Sequence, residues 1–329
     1  MSTTDIHHGT AITPTMTAHP SAGRGKRRGR HAPAGEVVLA YLDEHVARLR
    51  VLAPAAARDE PDAIHQMRVA TRRVRSTLQS FPSVLPRDTT VHLRAELKWL
   101  GAVLGQARDD EVTSAFLEQE LASFPPELVM GPAQARVRAS LAPQQARDRE
   151  AVAEALGSPR YAALTGDLAR FIDRPPFAAA AGDPADTVLS AAAGRAWRRT
   201  RRRMEHARRL RADTSQHAAA RDTALHETRK AARRARYTAE AARPAIGKPA
   251  KRFAKRMKAV QSALGDHHDA VGARAAARDI GVHAGLAGEN AFTFGLLHER
   301  AAAAAHNAEH HAARAWKRAE KKKALTWLG

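Results

Sequence analysis

Apolar side chains recur along most of the chain at alternating steps of three and four residues, the period of a helix that buries one face. Val38, Tyr41, Leu42, His45, Leu49 and Leu52 place a first helix from 36 to about 57. Ile64, Met67, Thr71, Val74, Leu78 and Phe81 carry a second seam, opened by Pro61 among Asp59, Glu60 and Asp62 and closed by Pro82 and Pro86. Proline and acids suit a first turn. Helices at 88–104 and about 107–122 follow, with Gly105 as the break between them. Beyond Pro125-Pro126 and Gly131-Pro132 comes a long helix to about 156, then a shorter one from Pro159 to near Ile172. Pro175-Pro176 and Gly182-Asp183-Pro184 punctuate the chain before a second series. That series runs from about 186 to 211, from 215 to 242 (stopped by Pro244), from 247 to 264, past Gly265 to about 280, and from about 289 to 323. No stretch alternates convincingly as a strand, so the pattern predicts an all-α chain. Residues 1–34 have no period and read as a disordered basic tail.

The polar positions are equally ordered. His65, Arg68, Arg72 and Arg75 follow the steps of the second seam, rotated around the axis by about one residue, or ~100°. Like charges so close repel one another unless a polyanion lies along them. The segment 225–236 repeats the arrangement as His226, Arg229, Arg233-Arg234 and Arg236, over a smaller seam of Leu225, Thr228, Ala232, Ala235 and Ala239. Downstream, Lys98-Trp99-Leu100-Gly101-Ala102-Val103-Leu104-Gly105, followed by Asp109, answers Lys258-Ala259-Val260-Gln261-Ser262-Ala263-Leu264-Gly265, followed by Asp269. Blocks in one order at nearly constant offset predict an internal duplication. The division is a tail (1–34), a first helical repeat (35–174), a linker (175–186) and a second helical repeat (187–329).

The His-x-x-Arg-x-x-x-Arg-Arg-x-Arg blocks, each followed by Leu-Gly-x-x-x-Asp, resemble the CHAD domain, the conserved histidine α-helical domain. The resemblance runs from about Glu36 to near the C-terminus. It implies two pseudo-symmetric four-helix bundles around a basic central groove or pore that binds inorganic polyphosphate, and a binding module in place of a catalyst. Many relatives carry an N-terminal triphosphate-tunnel domain marked by Glu-x-Glu-x-Lys. That motif is missing here, so the expectation is a stand-alone copy.

Charge sharpens the picture. The chain carries a formal +20, and residues 187–329 hold 31 Lys and Arg against 12 Asp and Glu, whereas 36–186 hold 18 against 21. Such a field favours polyanions: polyphosphate, nucleic acid or an anionic membrane surface. There is no cysteine, hence no disulfide or thiolate metal site. No apolar run reaches the ~18 residues a membrane span needs, and no signal-peptide core is visible. The default is a cytoplasmic protein, associated with polyphosphate granules if the resemblance holds.

Arginine suits oxyanions because its planar fork donates two parallel hydrogen bonds and stays charged. Lysine offers a mobile point charge to a chain whose phosphates need no fixed register. The candidate polyphosphate contacts in the first repeat are His65, Arg68, Arg72, Arg73, Arg75 and Lys98. In the second they are Arg195, Arg199 and Arg202, then His226, Arg229, Lys230, Arg233, Arg234 and Arg236, and finally Lys251, Lys255 and Lys258. The alternative for any charged helix face is plain solvation, but such faces mix signs, and neither His/Arg stripe contains an acid. His65 and His226 either donate to phosphate or pack locally. No metal is expected at them, because arginine neighbours oppose a cation. His267-His268-Asp269 resembles a phosphohydrolase pair, yet Asp269 matches Asp109, which favours capping or an ion pair. No phosphate loop or nucleophile elbow is present, so no catalytic residue and no cofactor is assigned. Non-specific nucleic-acid binding is the rival class, although neither stripe interleaves the aromatics that stack bases. A third class is an adaptor docking granule proteins through the helix that ends at Trp327 and Leu328.

Overall fold

A computed structural model describes residues 31–212 and 218–329. The expected disordered tail lies outside the described residues up to position 30, as does Ser215, the expected start of the second His helix. Among the described residues the protein is all-α, with no β-strand. The first half contains α1 (Ala34–Ala57), α2 (Ala63–Ser80), α3 (Val91–Ala122), α4 (Ala133–Gly157) and α5 (Pro159–Asp173). The second contains α6 (Ala185–Ala212), α7 (Ala218–Ile246), α8 (Lys248–Leu286) and α9 (Phe292–Ala319).

Two expected breaks do not occur. Gly105 and Gly265 lie inside the continuous helices α3 and α8. A mid-helix glycine costs only about 1 kcal/mol relative to alanine, less than burying one leucine recovers, and Leu97, Leu100 and Leu104 are fully buried just upstream. Pro244 does not stop α7 before it but sits in its last turn. The entry to α2 is a turn: Asp59 and Asp62 both take positive φ, at 53° and 62°, and the helix starts after them, beyond Pro61.

Three apolar clusters hold the helices. The first gathers Leu42, Leu49, Met67, Val74, Leu78 and Leu97 from α1 to α3, with Leu164 of α5 and the C-terminal alanines of α7. The second lies within α6–α9, where Trp197 stacks on Trp316 (centroids 4.9 Å, planes 16° apart) and meets Phe253 edge-on. The third joins the far ends of the two long helices: Leu117 and Leu121 of α3 with Ala273, Ala277 and Ile280 of α8, and Phe294 and Leu297 of α9. The halves are thus joined in two places, at the C-terminal end of α7 and at the far ends of α3 and α8, and α2 also meets α7.

The linker is packed as well. Ala34 N–H donates to Asp183 (2.9 Å) and Ala185 N–H to Ala32 (2.9 Å), pairing the start of α1 with the start of α6. The C-terminal segment packs against the core: half-buried Trp327 lies edge-on to Phe253 (5.7 Å), and Gly329 N–H donates to Ser190 (3.2 Å). Trp327 therefore does not stand free as an adaptor surface.

Candidate anion-binding site

Arg72 and Arg75 of the first stripe and Arg233 of the second face the junction of α2 and α7. Between α2, α3, α6 and α7 opens a cavity of about 520 Å³. α2 contributes Arg72 and Arg75, α3 contributes Arg94 and Lys98, and α6 contributes Arg199 and Arg203. Lys230, Arg233 and Arg234 come from α7. Against these nine basic side chains stands one carboxylate, Glu227, which its Lys230 partner holds below the ordinary carboxylate pKa.

The floor of the cavity is under electrostatic tension. Arg233 has its pKa pushed down to about 9 by burial and then by the charge of Arg72, with Arg229 and Arg68 adding to it. Arg234 is pushed down to about 10 by burial, Arg199, Arg75 and Arg94. Arg72 is lowered by burial and by Arg68 and Arg229, against which the Tyr237 hydroxyl acts as a partner. A guanidinium does not release its proton at any relevant pH, so these directions report the cost of burying charged arginines beside one another, which Tyr237 offsets in part at Arg72 and Arg233 and Glu227 at Arg234. The buried Nε atoms of Arg72 and Arg94 have no protein acceptor.

Behind this floor the charges are neutralised. Arg68 forks onto Asp109 of α3, at 2.9 and 3.3 Å. Arg229 approaches Asp269 of α8 at 4.0 Å. The space in front of Gly105 is occupied by the Arg68 guanidinium (3.5 Å from an added Cβ), and that in front of Gly265 by Arg229 (3.6 Å). The Leu-Gly-x-x-x-Asp blocks are therefore arginine seats: the guanidinium lies over the glycine, and the aspartate, one turn on, supplies the counter-charge. The acids that pair Arg68 and Arg229 arrive from neighbouring helices, so a stripe without acids does not leave these two arginines uncompensated.

On the other side of the α2–α7 crossing is a second basic cavity, of about 830 Å³. Arg73, Arg236, Lys251, Lys255 and Lys258 line it with Arg48 and Arg243. Glu240 pairs there with both Arg73 (3.1 Å) and Arg236 (2.7 Å). Both guanidiniums lie over the Tyr237 ring, at 5.4 and 5.3 Å, so this tyrosine is the partition between the cavities. Lys251, Lys255 and Lys258 thus do not share one groove with Arg72, Arg75 and Arg234.

The remaining candidates go elsewhere. His65 borders a separate cavity of about 390 Å³ with Asp59, Asp62, Glu111 and Glu118, because it sits ten residues, ~15 Å along the axis, from Arg75. His226 packs against His268 (centroids 4.6 Å), and burial, then His268, pushes its pKa down to about 4. Arg195 and Arg202 are exposed on α6 and line neither basic cavity. Arg94 and Arg203 are the residues sequence reasoning missed; Arg94 precedes Lys98 by one helical turn, and Arg203 follows Arg199 by one. His267, His268 and Asp269 turn in three different directions. His267 lies 3.4 Å from both Asp222 and Glu309, His268 faces His226, and Asp269 faces Arg229. Among the described residues no group of three or more His, Asp or Glu is placed to hold a metal, and no helix is long and apolar enough to cross a membrane.

Comparison with known proteins gives a consistent answer. The family model described as CHAD domain matches residues 40–278. Uncharacterized protein Rv2226 of Mycobacterium tuberculosis is 34% identical over 274 residues, 82% of this chain and 50% of the relative, as is Uncharacterized protein MT2285 from a second strain. The chain spans about half the length of these curated relatives. Among solved structures, PptA from Streptomyces chartreusis superposes with a TM-score of 0.72 at 24% identity, covering 87% of this chain and all of that one. The CHAD domain from the plant Ricinus communis superposes with 0.64 at 26% identity, covering 87% and 93%. With its sequence blocks, its helical architecture and these matches in agreement, the chain belongs to the CHAD domain family.

Proposed function

We propose that the protein binds inorganic polyphosphate, without catalysis, in the cavity between α2, α3, α6 and α7. The observation that carries this reading is nine basic side chains around one space with a single, already paired, carboxylate. A linear polyphosphate puts a charge on each small repeating unit, so a dense basic cleft can neutralise several units at once. Burial, and then the neighbouring arginines, disfavour the charges of Arg233 and Arg234, and an anionic ligand offsets both costs. No aromatic ring is offered for stacking: Tyr237 is only 2% exposed. That favours a polymer without bases.

Through this contact the protein attaches to or organises polyphosphate granules, with granule proteins as further partners. The rival reading, non-specific binding of nucleic acid, is favoured by the exposed guanidiniums of Arg195, Arg198 and Arg202 on α6. A duplex needs a broad basic face, whereas the cavity suits a thread. Competition at physiological salt between long-chain polyphosphate and duplex DNA of equal total charge separates the two. Polyphosphate displacing DNA supports the proposal, and DNA displacing polyphosphate overturns it.

A further inference from the structure

The outer face of α9 carries His306 and His310, one helical turn apart. Both rings are exposed, their centroids lie 4.6 Å apart, and the two Nε2 atoms stand 3.0 Å from each other. Two ring nitrogens that close coexist in one of two ways. Either one carries a proton and donates to the lone pair of the other, or both lone pairs face a shared cation. The 3.0 Å separation is an ordinary hydrogen-bond distance and fits the second arrangement equally well. Imidazole nitrogens each ~2.0–2.1 Å from an ion, at adjacent corners of its coordination shell, stand roughly 3 Å apart. Residues four apart share one helix face, so α9 presents the pair without rearrangement. Neither ring pairs with a carboxylate among the described residues. Glu309, beside His310 in sequence, is buried on the inner face against Arg221 and His267.

We propose that His306 and His310 form a two-nitrogen chelate for a late first-row divalent ion: zinc, nickel or copper. Imidazole selects these ions over magnesium and calcium, which take oxygen. No third His, Asp or Glu closes the shell among the described residues. Water therefore completes it and remains exchangeable for an oxygen ligand. The site lies on α9, none of whose residues lines either basic cavity, and it stands or falls independently of anion binding.

The test is calorimetric titration of Cu²⁺ or Ni²⁺ into the full chain in a non-coordinating buffer at neutral pH. Wild type is compared with His306→Ala, His310→Ala and His311→Ala. The chain has 17 histidines, so the controls carry the argument. His311 is also exposed but points ~100° away around the helix. Removing a direct ligand costs at least as much as disturbing one from outside, so affinity for one ion falls roughly tenfold or more in the 306 and 310 variants. His311→Ala stays at the wild-type value, and the Cu²⁺ spin-resonance spectrum loses an imidazole nitrogen only in the first two. If all four proteins titrate alike, or if His311→Ala weakens binding as much as His310→Ala, the pair is merely two rings sharing a proton.

Discussion

The Arg68 guanidinium grips the Asp109 carboxylate with both terminal nitrogens, 2.9 and 3.3 Å away, across the gap from α2 to α3. Its counterpart in the second half, Arg229 to Asp269, is looser at 4.0 Å. The Arg68 side chain is only 16% exposed, so it depends on this one acid. Asp109→Ala is expected to cost about 1–2 kcal/mol in chemical denaturation, and Asp269→Ala less. Equal costs would show that the forked geometry contributes nothing.

The glycines behind these arginines make a second prediction. An added Cβ at Gly105 or Gly265 stays 3.5 or 3.6 Å from its arginine, an ordinary contact. Gly105→Ala and Gly265→Ala should therefore fold well and gain about 0.5–1 kcal/mol from helix propensity. Gly194→Ala is the opposite case. Its Cβ would lie 1.9 Å from the backbone oxygen of Gly329, so the C-terminal segment must lift off α6. A lower melting temperature and increased Trp327 exposure by fluorescence quenching are the expected signs.

His45 gives the protein an acid-side weakness. It is 3% exposed with both ring nitrogens unpartnered, and burial, then Arg73 and Arg48, push its pKa down to about 3. A histidine lowered in the fold binds fewer protons there than in the unfolded chain. Its contribution is therefore complete above about pH 6.5 and is lost progressively as pH falls toward 3. Between pH 7 and 5 the loss is about 2 kcal/mol. His45→Leu should flatten that limb of the stability profile, and a limb unchanged by the substitution would count against it.

Much of this was readable from period alone. The seams at 64–81 and 225–239 fix which face of α2 and α7 is buried, and so which face presents Arg72 and Arg233. What failed to show were relationships between helices. Whether a lysine of α8 lies on one side of the α2–α7 crossing or the other depends on the angle at which helices cross, and Lys251, Lys255 and Lys258 fell on the far side. Glu240 follows Arg236 by one turn on its own stripe, just past the His226–Arg236 repeat, and it neutralises Arg73 as well. Gly105 and Gly265 resembled helix ends because local propensity is weaker than the burial that carries α3 and α8 through them.

The most direct test sets one cavity against the other. Binding of long-chain polyphosphate at physiological salt is measured for Arg75→Ala/Arg94→Ala/Arg234→Ala and for Lys251→Ala/Lys255→Ala/Lys258→Ala, each checked for retained helicity. Losing three charged contacts at a little over 1 kcal/mol each predicts a drop of roughly 100-fold or more for the first variant. The second should change little. Wild-type affinity in the first variant, or a collapse confined to the second, would contradict the account.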